Sequence, residues 1–181
     1  MRRAVLLASL VVCVSCQSSL QARGAKRYLK KETTADMAAL KSVFIGWVDL
    51  GPDDWALHGY SDKREWEAVV IGLNRALQKL CQTTYLPGRT VVGAKDIGDT
   101  GDSTHDLHVK FSDVRINYND YHLFTSIQFV DPRTNAVLGS IPVRPYYGND
   151  WGFVNYLRAA MEEVAVKLQV EIIGGLVKKR R

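Results

Sequence analysis

The chain has 181 residues, 46% hydrophobic and 24% charged, with five prolines and fourteen glycines, the make-up of one globular domain with short appendages. That composition excludes a long disordered chain, a collagen-like repeat and a multi-domain enzyme. The formal charge of +5 suggests nucleic acid until it is located: nine basic residues sit in 17–31 and 178–181, and 32–177 carries 13 basic against all 19 acidic residues, with no basic stripe for DNA or RNA.

The chain opens MRRAVLLASLVVCVSC: two arginines, an apolar run of about twelve residues, then small residues before a cysteine, the layout of a secretory signal. The run is too short to span a bilayer, which takes ~20 apolar residues. Cys13-Val14-Ser15-Cys16 resembles the bacterial lipobox, with Cys13 where Leu is usual. The resemblance implies cleavage after residue 15, lipid on Cys16 and a membrane anchor; Gln17, not an acidic residue, follows and favours the outer membrane. Residues 16–40 then read as a lipidated basic tether, and the two basic ends suit an anionic surface or plain solvation. Processing leaves Cys81 without a partner, a structural thiol in an apolar helix repeat, so no intrachain disulfide is expected.

The domain is expected over 41–173. Residues 43–50 (VFIGWVDL) are a near-continuous apolar run closed by Gly51-Pro52, the pattern of a strand buried on both faces or central in a sheet. Asp62 and Glu65 look like a capping box, and Trp66, Val69, Val70, Leu73, Leu77 and Leu80 form the stripe of a helix that ends before Pro87-Gly88. Thr90 to Val92 is a short strand candidate. Leu107, Val109 and Phe111 alternate, the phase slips at Ser112-Asp113 as a β-bulge would make it, and alternation resumes at Val114 and Ile116. Turns at 117–120 and 131–135 separate two further strands, 121–131 and 136–143, in an antiparallel meander. Phe153, Leu157, Met161, Val164, Leu168 and Ile172 then mark a helix of about six turns with a stop at Gly174-Gly175, leaving 174–181 as a basic tail. The order β-α-β-β-β-β-α, with one apolar stripe per helix, predicts an α+β two-layer sandwich: a mainly antiparallel sheet with both helices on one face.

Chemistry-bearing residues are sparse. Asp96, Asp99, Asp102, His105, Asp106 and His108 are six groups of ligand type within thirteen residues, but the acids fall every third position, unlike a calcium loop, and His105 and His108 diverge if both are extended. A solvated loop is the plainer reading; a metal-dependent periplasmic enzyme using 96–108 is the alternative. No GxSxG, GxGxxG or GxxxxGK[ST] occurs, and His58 and His122 are isolated. Glu65, Glu67, Glu162 and Glu163 fall on polar helix faces. No catalytic residue, resident metal or cofactor is assigned. Tyr146, Tyr147, Trp151 and Phe153, following Pro142 and Pro145, are the candidate partner-binding residues, a cluster that a local lid would use equally.

With these features in place, the chain resembles the small periplasmic α/β accessory lipoproteins of the bacterial outer membrane, of the lipopolysaccharide-assembly, curli-secretion and penicillin-binding-protein-activator types. The resemblance is architectural over 41–173; its most local element is FVDPRTNAVLGSIPV, with Val130, Asp131, Asn135, Val137 and Leu138 on a hairpin before the last helix. Asn135 stands where Gly is usual, compatible with the same left-handed turn. The resemblance implies binding and scaffolding in an envelope assembly, through the sheet edge or the aromatic cluster, with no turnover. The partners expected are the membrane, through the lipid, and an envelope protein; an apolar ligand carried between sheet and helices is a further possibility.

Overall fold

The computed structural model describes residues 39–51, 53–117, 122–145 and 152–177, and shows an α+β fold of five strands and two long helices. The elements are β1 (Ser42–Ile45), α1 (Lys63–Leu80), β2 (Thr90–Gly93), β3 (Leu107–Asn117), β4 (His122–Val130), β5 (Val137–Val143) and α2 (Phe153–Val177). The sheet order is β2-β1-β3-β4-β5. β1 is parallel to both neighbours, and the β3-β4-β5 meander is antiparallel, so the sheet is mixed and does not close into a barrel.

β1 lies inside the sheet, between β2 and β3, because both its faces are apolar. Val43 and Ile45 lie in register with Leu107 and Val109 of β3 on the helix side, and Phe44, 3% exposed, points to the opposite face. The strand is shorter than its apolar run. At Gly46 the chain leaves the sheet, and Val48 and Leu50 are buried against α1 instead. The phase slip at Ser112-Asp113 is a register shift between Ser112 and Arg115, with Asp113 at φ 54°. Asn135 takes the left-handed turn conformation at φ 55°.

α1 begins on Asp62, whose Oδ1 accepts from the Arg64 amide at 2.8 Å; Glu65 takes the Ser61 hydroxyl at 3.4 Å, so the reciprocal half of the capping box goes to a side chain. The helix continues into a π turn, Cys81–Tyr85, that closes on buried Leu86. α2 runs through Gly174-Gly175 to Val177, beyond the stop expected there; two glycines cost about 1 kcal/mol each relative to Ala, which a helix already seated by Leu157, Met161, Val164, Leu168 and Ile172 can absorb.

Both helices pack on one face of the sheet, where Trp66, Leu77, Phe129, Leu157, Met161 and Leu168 fill the space between the layers. At the far edge, β5 contains Pro142, a residue with no amide hydrogen that an edge strand tolerates. Among the described residues no helix is long and apolar enough to cross a membrane.

Candidate functional site

The acid-rich loop between β2 and β3 is built for backbone work. Asp96 Oδ1 accepts from the Gly98 amide at 2.8 Å; Asp99 accepts from Lys95 at 2.9 Å and from Gly101 at 3.1 Å; Asp102 accepts both the amide and the hydroxyl of Thr104. The third-residue spacing of the acids is thus a succession of Asx turns. Asp106 reaches further: its Oδ2 accepts from the amides of Lys41 and Ser42 at 2.8 and 2.9 Å and from the Ser42 hydroxyl, tying the loop to the start of β1. These donors hold the carboxyls of Asp99, Asp102 and Asp106 below the usual carboxylate range.

The loop crosses the sheet face opposite the helices and covers Phe44. A Cβ added at Gly101, where φ is +70°, would lie 2.8 Å from the Phe44 ring. Because β3 begins only at Leu107, His105 precedes the extended segment, and the two histidines do not diverge. Their rings lie 5.9 Å apart, at 5.7 and 5.0 Å from Phe44. His108, 4% exposed, donates from Nε2 to the Asp102 carbonyl at 2.8 Å. Burial lowers its pKa, that hydrogen bond works the other way, and His105 and Lys110 push it down further. Among the described residues no three His, Cys, Asp or Glu side chains gather where they could share a metal ion.

A second feature lies at the carboxyl ends of β1 and β2 and draws on three separated segments. α1 presents Trp66, Val70, Asn74 and Gln78 one turn apart along a single ridge. Trp66 Nε1 donates to the Gly51 carbonyl at 2.8 Å. Asn74, fully buried, accepts the Val48 amide at 2.8 Å and donates to the Val48 carbonyl at 3.1 Å. Gln78 donates to the Ala94 carbonyl at 2.9 Å. The segments leaving β1 and β2 are therefore pinned to one helix, and between them opens a groove of about 290 Å³. Its walls are Trp47, Val70, Ile71 and Ile97, and its charged groups are Asp49, Glu67, Asp96 and Lys95. Sequence reading placed Glu67 on a polar helix face and Asp96 in a loop; only the fold brings them to one rim.

Phe153, a candidate partner-binding residue, is half-buried. It stacks on His58 at 5.1 Å, Trp66 at 6.0 Å and Tyr156 at 5.9 Å, closing an aromatic cluster with Tyr60. His58, 4.0 Å from the Trp66 ring, has its pKa lowered by burial against an opposing pull from Asp54. Tyr146, Tyr147 and Trp151, the other candidate partner-binding residues, and Cys16 with the tether to residue 38, lie outside the described residues. Cys81 is buried at the end of α1, and burial pushes its thiol up to about 12.

No family model and no curated protein matches the sequence. Among solved structures, the chain is similar to a neuraminyllactose-binding hemagglutinin homolog from Helicobacter pylori, at 11% identity and TM-score 0.41 over 81% of this chain and 87% of that one. It is also similar to PelC from Paraburkholderia phytofirmans, at 12% identity and TM-score 0.34 over 71% of this chain and 86% of that one.

Proposed function

We propose that the chain is a periplasmic lipoprotein, lipidated at Cys16 and held on the outer membrane, whose α+β domain works by binding another envelope component and not by turning a substrate over. The anchor rests on the sequence: a basic start, a short apolar run and Cys13-Val14-Ser15-Cys16. Acyl chains contribute ~0.8 kcal/mol per buried methylene, so two or more hold a protein on a bilayer where one binds reversibly.

The observation that carries the non-catalytic half is the employment of the loop carboxylates. Asp96, Asp99, Asp102 and Asp106 all accept loop or strand amides, as a scaffold requires and a general acid or base does not. Cys81, with its thiol pushed to about 12, lacks the thiolate a nucleophile needs.

The test is metabolic labelling with radioactive palmitate in a two-membrane bacterium, with fractionation of the envelope. Label is expected on the protein and absent from Cys16→Ala, which leaves the membrane fraction. Label-free protein in the cytosol with residues 1–16 still attached would defeat the proposal. Partial release of Cys16→Ala would show the basic ends contributing to retention. Crosslinking in intact cells then identifies the bound envelope component.

A further inference from the structure

Two connections leave the carboxyl ends of the parallel strands on opposite faces of the sheet. From β1 the chain passes to the helix side, where Val48 and Leu50 are buried in the core with α1. From β2 it crosses the other face over Phe44 and re-enters the sheet at β3, on the far side of β1. Where consecutive connections diverge in this way, they cannot close over the strand ends, and a crevice is left there; open sheets with parallel strands bind ligands at such points. The groove of about 290 Å³ occupies that position.

Its lining narrows the choice of ligand. Ile71 is 38% exposed and Ile97 59% exposed, large apolar side chains that an occupant would cover, and they share the groove with the half-buried Trp47 indole. The charged groups are three carboxylates, Asp49, Glu67 and Asp96, against one ammonium, Lys95. Asp49 and Asp96 are each held by an Oδ1 bond to the amide two residues on, at 3.0 and 2.8 Å, which fixes the two carboxylates in place. A concave wall of low dielectric focuses the field of such an excess, favouring a cation and opposing an anion. A bare hydrated cation would leave the apolar walls unused. An apolar body gains about 25 cal/mol for each Å² it covers, and a cation gains further over an indole face.

We infer that this groove is a binding site for a small organic cation with an apolar body, an aromatic or branched aliphatic amine. The volume gives room for roughly ten water-sized groups, the scale of one ring and a short amine arm. The site is independent of the anchor and of the binding role proposed above, since its residues all lie within the described domain.

The experiment uses the full chain with Cys16→Ser, observing the Trp47 indole N–H by NMR, assigned with Trp47→Phe. The probes are 2-phenylethylammonium, 3-phenylpropionate and methylammonium. Saturable shifts are expected with the first, and affinities at least about tenfold weaker with the other two. The triple variant D49N/E67Q/D96N keeps the amide-accepting oxygens and is expected to lose the amine about tenfold or more with its melting midpoint unchanged; Ile97→Ala, at an exposed position, weakens the amine without touching charge. Equal binding of the aromatic acid, retention by the triple variant, or no movement of Trp47 with any probe would overturn the inference. So would binding of a Lys-Phe-Lys peptide without binding of the free amine, which would assign the groove to a protein segment.

Discussion

Replacing Asn74 tests how the segment leaving β1 is held. Asn74 is fully buried and satisfies both main-chain polar groups of Val48, itself fully buried. Asn74→Ala leaves the Val48 amide and carbonyl without partners; each buried orphan costs about 1–3 kcal/mol, and alanine returns about 0.5 kcal/mol of helix propensity. The expected net loss is about 1.5–5.5 kcal/mol, against a total stability of about 5–15 kcal/mol for an ordinary domain. At about 2–4 °C per kcal/mol for a chain of this size, the thermal midpoint falls by roughly 3–20 °C. Asn74→Leu separates volume from hydrogen bonding, because it refills the space and still orphans Val48, so it is expected to lose about 2 kcal/mol or more. Asn74→Asp keeps an acceptor for the Val48 amide but buries a carboxylate facing the Val48 and Val70 carbonyls, so it is expected to regain stability in acid, where a protonated carboxyl donates. Urea unfolding of the three variants at pH 7 and pH 4.5 measures all of this. Asn74→Leu within about 0.5 kcal/mol of the parent would refute the reasoning, since the orphaned groups would then carry no cost.

Asp106→Ala removes three donors' common acceptor, two of them backbone amides, and is expected to cost about 2 kcal/mol at pH 7 by urea unfolding. Because the Asp106 carboxyl is held below its ordinary value of 3.8, its contribution is present above that value and lost as pH falls through the lowered one; parent and variant therefore converge in acid. His108 acts in the same direction over a higher pH window: the folded state favours its neutral form, so stability falls as pH drops below 6.5, and His108→Gln should flatten the decline between pH 7 and 5 only in part, since His58 acts with the same sign. Gly101→Ala combines a left-handed φ of +70° with contact on Phe44 and is expected to lose about 1–3 kcal/mol, read as a lower melting midpoint. Cys81 should resist iodoacetamide at pH 8 until urea unfolds the chain, because a thiol near 12 holds about a thousandfold less thiolate than one at 9.0.

What the sequence made legible was whatever repeats locally. The α2 stripe from Leu157 to Ile172 follows from steps of three and four, and the Ser112-Asp113 bulge from a slip in a period of two. Pairing partners are not local. Nothing in TVVG says that β2 lies parallel to β1, or that β3 returns to its other side, so an antiparallel meander could be read while the mixed character of the whole sheet could not. Asn74 was missed because a polar residue inside an apolar stripe looks like an interruption; the signal available was its place on the ridge from Trp66 to Gln78, where a buried amide must serve the main chain. The groove was illegible for the same reason as the pairing. Trp47 and Asp49, Glu67 with Ile71, and Lys95 to Ile97 belong to three stretches that only the fold assembles.

Pro142 bears on how many copies can live side by side. A seven-residue strand at the edge of the described sheet offers a template on which a neighbouring molecule could continue the sheet, and that hazard grows wherever molecules are crowded. A ring that cannot donate breaks the ladder such a neighbour would need. Dense populations of this protein are thereby steered away from polymerising through β5, and Pro142→Thr is the change most apt to let filaments grow from that margin.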